Sequence, residues 1–171
     1  MSFPILLGDK PRLLILGSMP GQISLAKKQY YANKQNAFWW IMSELVPFEM
    51  VLNYTERTQA LMRARIAVWD VLSDCERPGS LDSNIVRQSE QANDFKTLFA
   101  KNRSIELIAF NGMAAKQIFM RHCKFVFDDL NIPWVQLPST SPAHAAVSRE
   151  DKLAVWRTAL ASFITNNQYA K

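Results

Sequence analysis

The stretch LLILGSMPG, residues 13–21, decides the fold of this chain because it joins a continuous apolar run to a tight turn. The four apolar residues 13–16 are typical of a strand that is buried on both faces of a parallel sheet. Gly17 ends that strand, and residues 18–21 form a loop at its carboxyl end. Open α/β sheets bind their ligands at this edge, so the loop is predicted to be part of a binding site.

A dense set of planar amides and aromatic rings follows the loop: Gln29, Tyr30, Tyr31, Asn33, Gln35, Asn36, Phe38, Trp39 and Trp40. A site that holds an extrahelical nucleobase needs a ring to stack on the base and an amide to read its edge. The loop is not a triphosphate-binding loop, because Gly21 is followed by Gln22 and Ile23 instead of the required Lys and Ser or Thr. A plain strand-to-helix turn without a ligand is the alternative.

Composition indicates one globular domain, predicted to span residues 1–171, with 49% hydrophobic residues. No run approaches the roughly 18 apolar residues of a membrane span, and the first residues lack a secretory signal, so a cytoplasmic location is expected. The net charge of +5 favours a polyanionic partner, although the basic residues are spread along the chain. Cys75 and Cys123 are isolated, so neither a zinc site nor an iron-sulfur cluster is expected. No metal and no other cofactor is predicted.

Hydrophobic periodicity predicts four short strands that alternate with helices. The predicted strands cover residues 13–16, 66–72, 105–110 and 133–137. The predicted helices cover residues 36–46, ended by Pro47; 55–64, capped by Thr55; 90–101; 114–122; and a last helix that opens at Ser148 with Asp151 in the capping-box position. This alternation predicts a three-layer α/β/α fold with a central, mainly four-stranded parallel sheet.

The ends of the four predicted strands share a property that locates the site. Segments 17–21, 74–82, 111–112 and 138–145 all follow a strand, and each contains Gly, Pro, Ser or Asn. The carboxyl ends of parallel strands lie at one edge of a sheet, so these segments are expected to meet there.

Five blocks in this order and spacing carry a family resemblance: GSMPGQISL, QYYANKQNAFW, WDVLSDCERPGSLDSNI, FNGMAA and LPSTSPAHA. Together they resemble the uracil-DNA glycosylase superfamily, and within it the branch of hypoxanthine (deoxyinosine) DNA glycosylases. The resemblance implies a monofunctional glycosylase that flips a deaminated base out of DNA and hydrolyses its N-glycosidic bond with water, leaving an abasic site. It implies DNA as the partner, and a monomer is the expected state.

The resemblance assigns two catalytic asparagines. Residues 18–22 lack the carboxylate that orients the water in some branches, and the resemblance to the hypoxanthine branch implies that the Asn of its NxFW block, here Asn36, takes this role. The alternative role of Asn36 is a helix N-cap. Asn111 matches the family residue that binds the base edge and helps to bear charge on the leaving group, and its alternative role is a turn. Leu137 stands where many relatives have a His that stabilises the leaving base, so a modest catalyst is expected.

Further roles follow from the same resemblance. The residues expected to bind the flipped nucleotide are Gly17, Ser18, Met19, Pro20, Gly21, Tyr30, Tyr31 and Phe110, with Tyr31 preferred as the stacking ring, then Tyr30, then Phe110. The residues expected to bind DNA are Ser139, Thr140, Ser141, Pro142, Ala143 and His144. Asp70 and Asp82 are the carboxylates nearby, and Asp82 is expected to contact DNA or to position loop backbone.

Alternative functions remain open at this point. A glycosylase specific for uracil or for G:U/T mismatches fits the same residues, since uracil and hypoxanthine are both lactams. A non-catalytic nucleic-acid-binding domain of the same fold is the second alternative. A small-molecule hydrolase is disfavoured, because the chain has no GxSxG elbow and only two His.

Overall fold

A parallel four-stranded sheet forms the centre of the computed structural model, which describes residues 1–46 and 48–164. Its strands are β1 (Leu13–Gly17), β2 (Ile66–Asp70), β5 (Leu107–Asn111) and β6 (Trp134–Leu137), and their spatial order is β2-β1-β5-β6. Two further short strands, β3 (Leu72–Asp74) and β4 (Gln91–Ala92), form a separate antiparallel pair.

Seven α-helices in the described ranges surround the sheet. They are α1 (Gln22–Lys27), α2 (Phe38–Leu45), α3 (Tyr54–Arg63), α4 (Phe95–Lys101), α5 (Met113–His122), α6 (Phe125–Leu130) and α7 (Arg149–Ile164). The predicted three-layer α/β/α fold is thus confirmed. None of the described helices is both long enough and apolar enough to span a membrane.

The central strand β1 explains why its apolar run is continuous. Leu13 and Ile15 point into one core with residues of α2 and α7, whereas Leu14 and Leu16 point into a second core with residues of α4 and α5. All four side chains are buried. Full burial of one Leu or Ile contributes roughly 1.5–3 kcal/mol, so the stretch that predicts the fold also stabilises it from both sides.

Several element boundaries differ from the sequence prediction. Asn53, not Thr55, caps α3, because its side chain and that of Glu56 form a reciprocal capping box. Helix α4 begins at Phe95 instead of Glu90, since the side chain of Asp94 accepts a hydrogen bond from the backbone N–H of Thr97 and caps it. The strand expected at 66–72 is interrupted at Val71, whose N–H donates to the carbonyl oxygen of Gly17.

The remaining predictions of secondary structure hold more closely. The hydroxyl of Ser148 accepts the N–H of Asp151 at 3.0 Å and so caps α7 as predicted. Helix α2 begins two residues later than expected, and the proposed stop at Pro47 lies outside the described residues. The short helices α1 and α6 were not predicted, because six residues carry too little periodicity to reveal a helix.

Candidate active site

One row of residues across the sheet forms the floor of the site. Gly17 pairs with Asp70 of β2, and because Leu16 pairs with Phe110, Asn111 is the next residue of β5 in the same row. Side chains two residues apart in a strand point to the same face, and the residues two positions before these three, Ile15, Val68 and Ala109, fill the core shared with α2 and α7. Asp70, Gly17 and Asn111 therefore lie side by side on that face.

Gly17 has no side chain, and two polar groups from its neighbours occupy the space this leaves. A Cβ atom at Gly17 would stand 2.5 Å from Oδ1 of Asp70 and 3.0 Å from the hydroxyl oxygen of Tyr31. The absence of a side chain at this position thus lets a carboxyl group and a phenol hydroxyl approach the floor together.

Gly17→Ala is expected to lower the free energy of unfolding by about 1–3 kcal/mol, because the new methyl group overlaps these two buried groups. Urea unfolding measures this change. Gly21→Ala is the matched control, since a Cβ there would meet nothing closer than 3.6 Å. An equal free energy of unfolding in the two variants would contradict the expected overlap of the new methyl group with Asp70 and Tyr31.

A cavity of about 270 Å³ opens above this floor, at the edge where the carboxyl ends of the strands lie. The structure brings most of the predicted site residues to its wall: Gly17, Ser18, Met19, Pro20, Gly21, Tyr30, Tyr31, Asn36, Asn111, Ser139, Thr140, Ser141, Pro142 and Ala143. Asp70 and Asp82 also line it. The convergence of four separate strand ends at one edge agrees with the sequence prediction.

Two predicted site residues do not line the cavity. Phe110 is fully buried in the core on the opposite face, where its ring centroid lies 5.3 Å from that of Phe119. Because Asn111 points to the cavity, its neighbour in the strand has to point away, so Phe110 is not placed to stack on a ligand there. His144 is exposed beyond the loop 138–143 and does not reach the cavity wall.

Asn111 is held in one orientation by Thr140. Its side-chain N–H donates to the hydroxyl of Thr140 at 2.9 Å, and its Oδ1 accepts the backbone N–H of Thr140, also at 2.9 Å. The carbonyl oxygen of Thr140 accepts the N–H of Ala37 at 3.0 Å. Thr140, itself buried and predicted to bind DNA, thus joins Asn111 to the segment that carries Asn36.

Asn36 shapes the turn before α2. Its Oδ1 accepts the N–H of Phe38, the first residue of the helix, at 3.0 Å. A carbonyl oxygen has two lone pairs, so this bond leaves Oδ1 able to accept a second hydrogen bond. The turn-forming role and a role toward a ligand are therefore compatible in this side chain.

The two tyrosines differ in what they present to the cavity. The Tyr31 ring is stacked on Phe38, with centroids 3.9 Å apart and an interplanar angle of 21°. Its buried hydroxyl lies near the Asn111 amide but makes no hydrogen bond of good geometry among the described residues, and burial raises its pKa. The Tyr30 hydroxyl instead donates to the carbonyl oxygens of Phe3 and Pro4, which makes Tyr30 mainly a core residue.

Two buried cations hold the loops of the site, and the sequence did not reveal either of them. Arg77 donates to the carbonyl oxygens of Met19 and Pro20. Lys152 donates to the carbonyl oxygen of Ser141 at 3.2 Å, and burial lowers its pKa. Both residues stand in basic or polar stretches that are usually solvent-exposed, so the only sequence signal is their position beside a predicted loop.

The two carboxylates of the site have different environments. Asp82 accepts a hydrogen bond from the Ser18 hydroxyl at 2.5 Å and lies 3.7 Å from the Arg77 guanidinium, and its side chain is 42% exposed. Burial nevertheless raises its pKa. Asp70 is only 3% exposed, and burial raises its pKa to about 7, against a smaller opposing effect of the hydrogen bond from Ser2. Asp70 thus keeps a proton to higher pH than an ordinary carboxyl group.

Within residues 1–46 and 48–164, no group of three or more His, Cys, Asp or Glu side chains is arranged to hold a metal ion.

Comparisons with known proteins agree with this fold. The family model described as "Uracil DNA glycosylase superfamily" matches residues 4–163. Two curated relatives are named "Hypoxanthine DNA glycosylase". The protein of Methanosarcina barkeri is 35% identical over 111 residues, which are 64% of this chain and 69% of the relative. The protein of Methanosarcina acetivorans is 37% identical over 114 residues, 66% and 71% of the two chains.

A solution NMR structure from Methanosarcina acetivorans, described as a proposed uracil DNA glycosylase, superimposes with a TM-score of 0.75 at 32% identity, covering 91% of this chain and 95% of that one. The chain therefore belongs to the uracil DNA glycosylase superfamily.

Proposed function

We propose that this chain is a monofunctional DNA glycosylase that flips a deaminated base out of DNA and hydrolyses its N-glycosidic bond. Hypoxanthine is the proposed substrate, as the names of the two curated relatives also suggest. The observation that carries the proposal is the amide of Asn111, fixed by two hydrogen bonds at the floor of the cavity.

The Asn111 amide is suited to the edge of a lactam. After its two bonds to Thr140, it retains one N–H and one lone pair on Oδ1. Thr140 occupies the edge between Oδ1 and Nδ2, so the free lone pair and the free N–H point to opposite ends of the amide. The free N–H is proposed to donate to the carbonyl oxygen that hypoxanthine and uracil both present. Adenine and cytosine present an amino group where the lactams have the carbonyl oxygen, which mismatches this pattern.

Hydrolysis requires a water molecule at C1′ of the sugar and a site for the negative charge that reaches the departing base. Asn36 is proposed to orient the water, which donates a hydrogen bond to the second lone pair of Oδ1. Asn111 donates to the base, and the buried charges of Arg77 and Lys152 make the potential around the cavity more positive.

Two exposed aliphatic side chains at the rim of the cavity are consistent with duplex DNA as the partner. Ile23 is 47% exposed and Leu81 is 50% exposed, and both line the mouth of the cavity. Proteins that distort DNA insert apolar side chains of this kind into the base stack. The net charge of +5 favours the approach of the phosphate backbone.

The direct test uses end-labelled duplexes with one hypoxanthine, one uracil, a G:U or G:T mismatch, or no lesion, each treated with alkali after incubation. Cleavage only after alkali is expected, and it identifies a monofunctional glycosylase. The relative rates separate hypoxanthine specificity from the uracil and mismatch alternatives. A folded protein that binds these DNAs but gives no product would be a non-catalytic binding domain.

Asn36→Ala is expected to reduce single-turnover excision roughly 10- to 100-fold, because the attacking water loses its acceptor, while the affinity for DNA changes little. Gel-shift titration and single-turnover kinetics measure the two effects. Gln35→Ala removes the neighbouring exposed amide, which does not line the cavity, and serves as the control. A parallel loss of affinity and rate in Asn36→Ala would argue for a role in binding alone.

A cytoplasmic location and a monomeric state are parts of the proposal that follow from the sequence. Size-exclusion chromatography coupled to light scattering tests the second of them.

A further inference from the structure

The carboxyl group of Asp70 is a buried acid on the floor of the cavity that the proposed steps leave unused. It lines the cavity beside Gly17 and accepts a hydrogen bond from the Ser2 hydroxyl at 3.0 Å. No salt bridge of Asp70 is found among residues 1–46 and 48–164. A buried carboxyl group without such a partner is costly to ionise and therefore tends to keep its proton. Beside a ligand cavity, such a group is placed to donate that proton to a ligand.

The row across the sheet fixes where this acid stands relative to a bound base. Asn111 and Asp70 lie on opposite sides of Gly17, two strand spacings or about 10 Å apart at the backbone. The Tyr31 hydroxyl lies over Gly17 between them. We expect a planar base whose carbonyl oxygen accepts the free N–H of Asn111 to lie above Gly17, with its other end toward Asp70 and the Tyr31 hydroxyl.

We propose that Asp70, with the Tyr31 hydroxyl beside it, is the general acid that protonates a purine leaving base during excision. The inference rests on the proposed function and narrows its substrate class to purine lactams. Hypoxanthine has an unprotonated ring nitrogen, N7, in the five-membered ring. Uracil has no such atom, since N1 is bonded to the sugar and N3 carries hydrogen.

The step balances with water as the co-reactant. The bond between C1′ and N9 breaks, and its electron pair moves into the base. The proton of Asp70 passes to N7, directly or by way of the Tyr31 hydroxyl, which gives up one proton and receives another. The oxygen of water bonds to C1′, and a proton of that water returns to the Asp70 carboxylate. The products are neutral hypoxanthine and an abasic site.

The surroundings of Asp70 allow it to hold this proton near neutral pH. The Ser2 hydroxyl donates to its carboxyl, and the titratable or charged groups around it are the phenols of Tyr30, Tyr31 and Tyr54, the Asp82 carboxylate and the Arg77 guanidinium. Burial and, to a lesser degree, the charge of Asp82 raise its pKa to about 7, whereas Ser2 and Arg77 oppose this. Because the proton donor is the active form, the rate is expected to fall as the pH rises through this value.

Single-turnover excision from a hypoxanthine duplex, measured from pH 5.5 to 9, tests the proposal in wild type, Asp70→Asn and Tyr31→Phe. We expect the wild-type rate to fall about tenfold per pH unit well above pH 7, since the protonated fraction falls by that factor. We expect Asp70→Asn to be about 100-fold slower at pH 6, with a flat profile, and Tyr31→Phe to be slowed as well. Asp128→Asn, a surface carboxylate on α6, is the matched control.

A second substrate isolates the ring nitrogen. In a 7-deazahypoxanthine duplex the lactam edge that Asn111 reads is retained, but N7 is replaced by carbon. The wild type is expected to excise this base more slowly than hypoxanthine. On this substrate Asp70→Asn is expected to be no slower than the wild type. If Asp70→Asn lowered the excision rate by a similar factor on the hypoxanthine duplex and on the 7-deazahypoxanthine duplex, the acid role would be overturned.

The outcomes separate this inference from the proposed function. Product formation at a rate that stays constant from pH 6 to 9, or an Asp70→Asn variant within threefold of wild type, overturns the inference alone. If Asp70→Asn does not fold, the pH dependence of the wild-type rate and the excision rate of Tyr31→Phe test the inference instead. Absence of product from every duplex at every pH defeats the proposed function, and the inference falls with it.

Discussion

Asn111→Asp is expected to reduce base excision by about 100- to 1000-fold while the fold stays intact. The variant keeps the shape of the side chain and its oxygen acceptor for the Thr140 N–H, and the Thr140 hydroxyl can rotate to donate instead of accept. The amide N–H toward the base is replaced by a negative charge, which opposes the charge that develops on the leaving base. Loss of one donor aimed at such a charge typically costs about this factor.

Single-turnover kinetics at saturating enzyme measure the effect, and circular dichroism confirms the fold. Asn131→Asp makes the same chemical change at the exposed end of α6 and is expected to leave the rate unchanged. Asn111→Ala is a less sharp variant, because it leaves both groups of buried Thr140 without partners at a cost of about 1–3 kcal/mol each. An Asn111→Asp enzyme within tenfold of wild type would remove Asn111 from the proposed mechanism.

The second large effect concerns stability. Asp70→Asn is expected to raise the free energy of unfolding at pH 8 by up to about 4 kcal/mol and to change it little at pH 4. The folded pKa of about 7 lies roughly three units above the ordinary value, and each unit corresponds to about 1.4 kcal/mol. The folded protein binds more protons than the unfolded chain between these values, so wild-type stability falls as the pH rises from about 4 to 7 and then levels off.

Urea unfolding of both proteins at pH 4.5, 6 and 8 measures this difference. Asn at this position carries no charge, so its curve is expected to lack that decline. A constant difference at all three pH values would show that Asp70 is not a buried acid with a raised pKa. A variant that gains stability while it loses excision would indicate that Asp70 is retained for function.

The sequence predicted the sheet and the edge at which the site forms, because both follow from local features. The apolar run at 13–16 shows a strand buried on both sides, and the polar residues at strand ends lie at one edge by topology. The face of the sheet was not predictable, since residues 107–110 of β5 are all apolar and show no period-two alternation. This is why Phe110 was grouped with Asn111, although neighbours in a strand point in opposite directions.

The parts that sequence reasoning missed depend on contacts between distant residues. Arg77 reaches the loop at Met19 across 58 residues of chain, and the side chain of Asp70 meets Ser2 across 68. Charged residues are exposed in most proteins, so nothing local marks these as buried. Likewise, both Asn53 and Thr55 are residue types that can begin a helix. The hydrogen bonds between Asn53 and Glu56 in the structure show that α3 is capped by Asn53.

The way in which the two buried cations hold their loops affects how this protein can evolve. Arg77 and Lys152 bind carbonyl oxygens of the main chain, which every amino acid supplies. The contacts of Arg77 and Lys152 therefore do not depend on which side chains stand at positions 19, 20 and 141. Substitutions in these loops can therefore change the side chains that line the cavity while the contacts of Arg77 and Lys152 to the main chain persist.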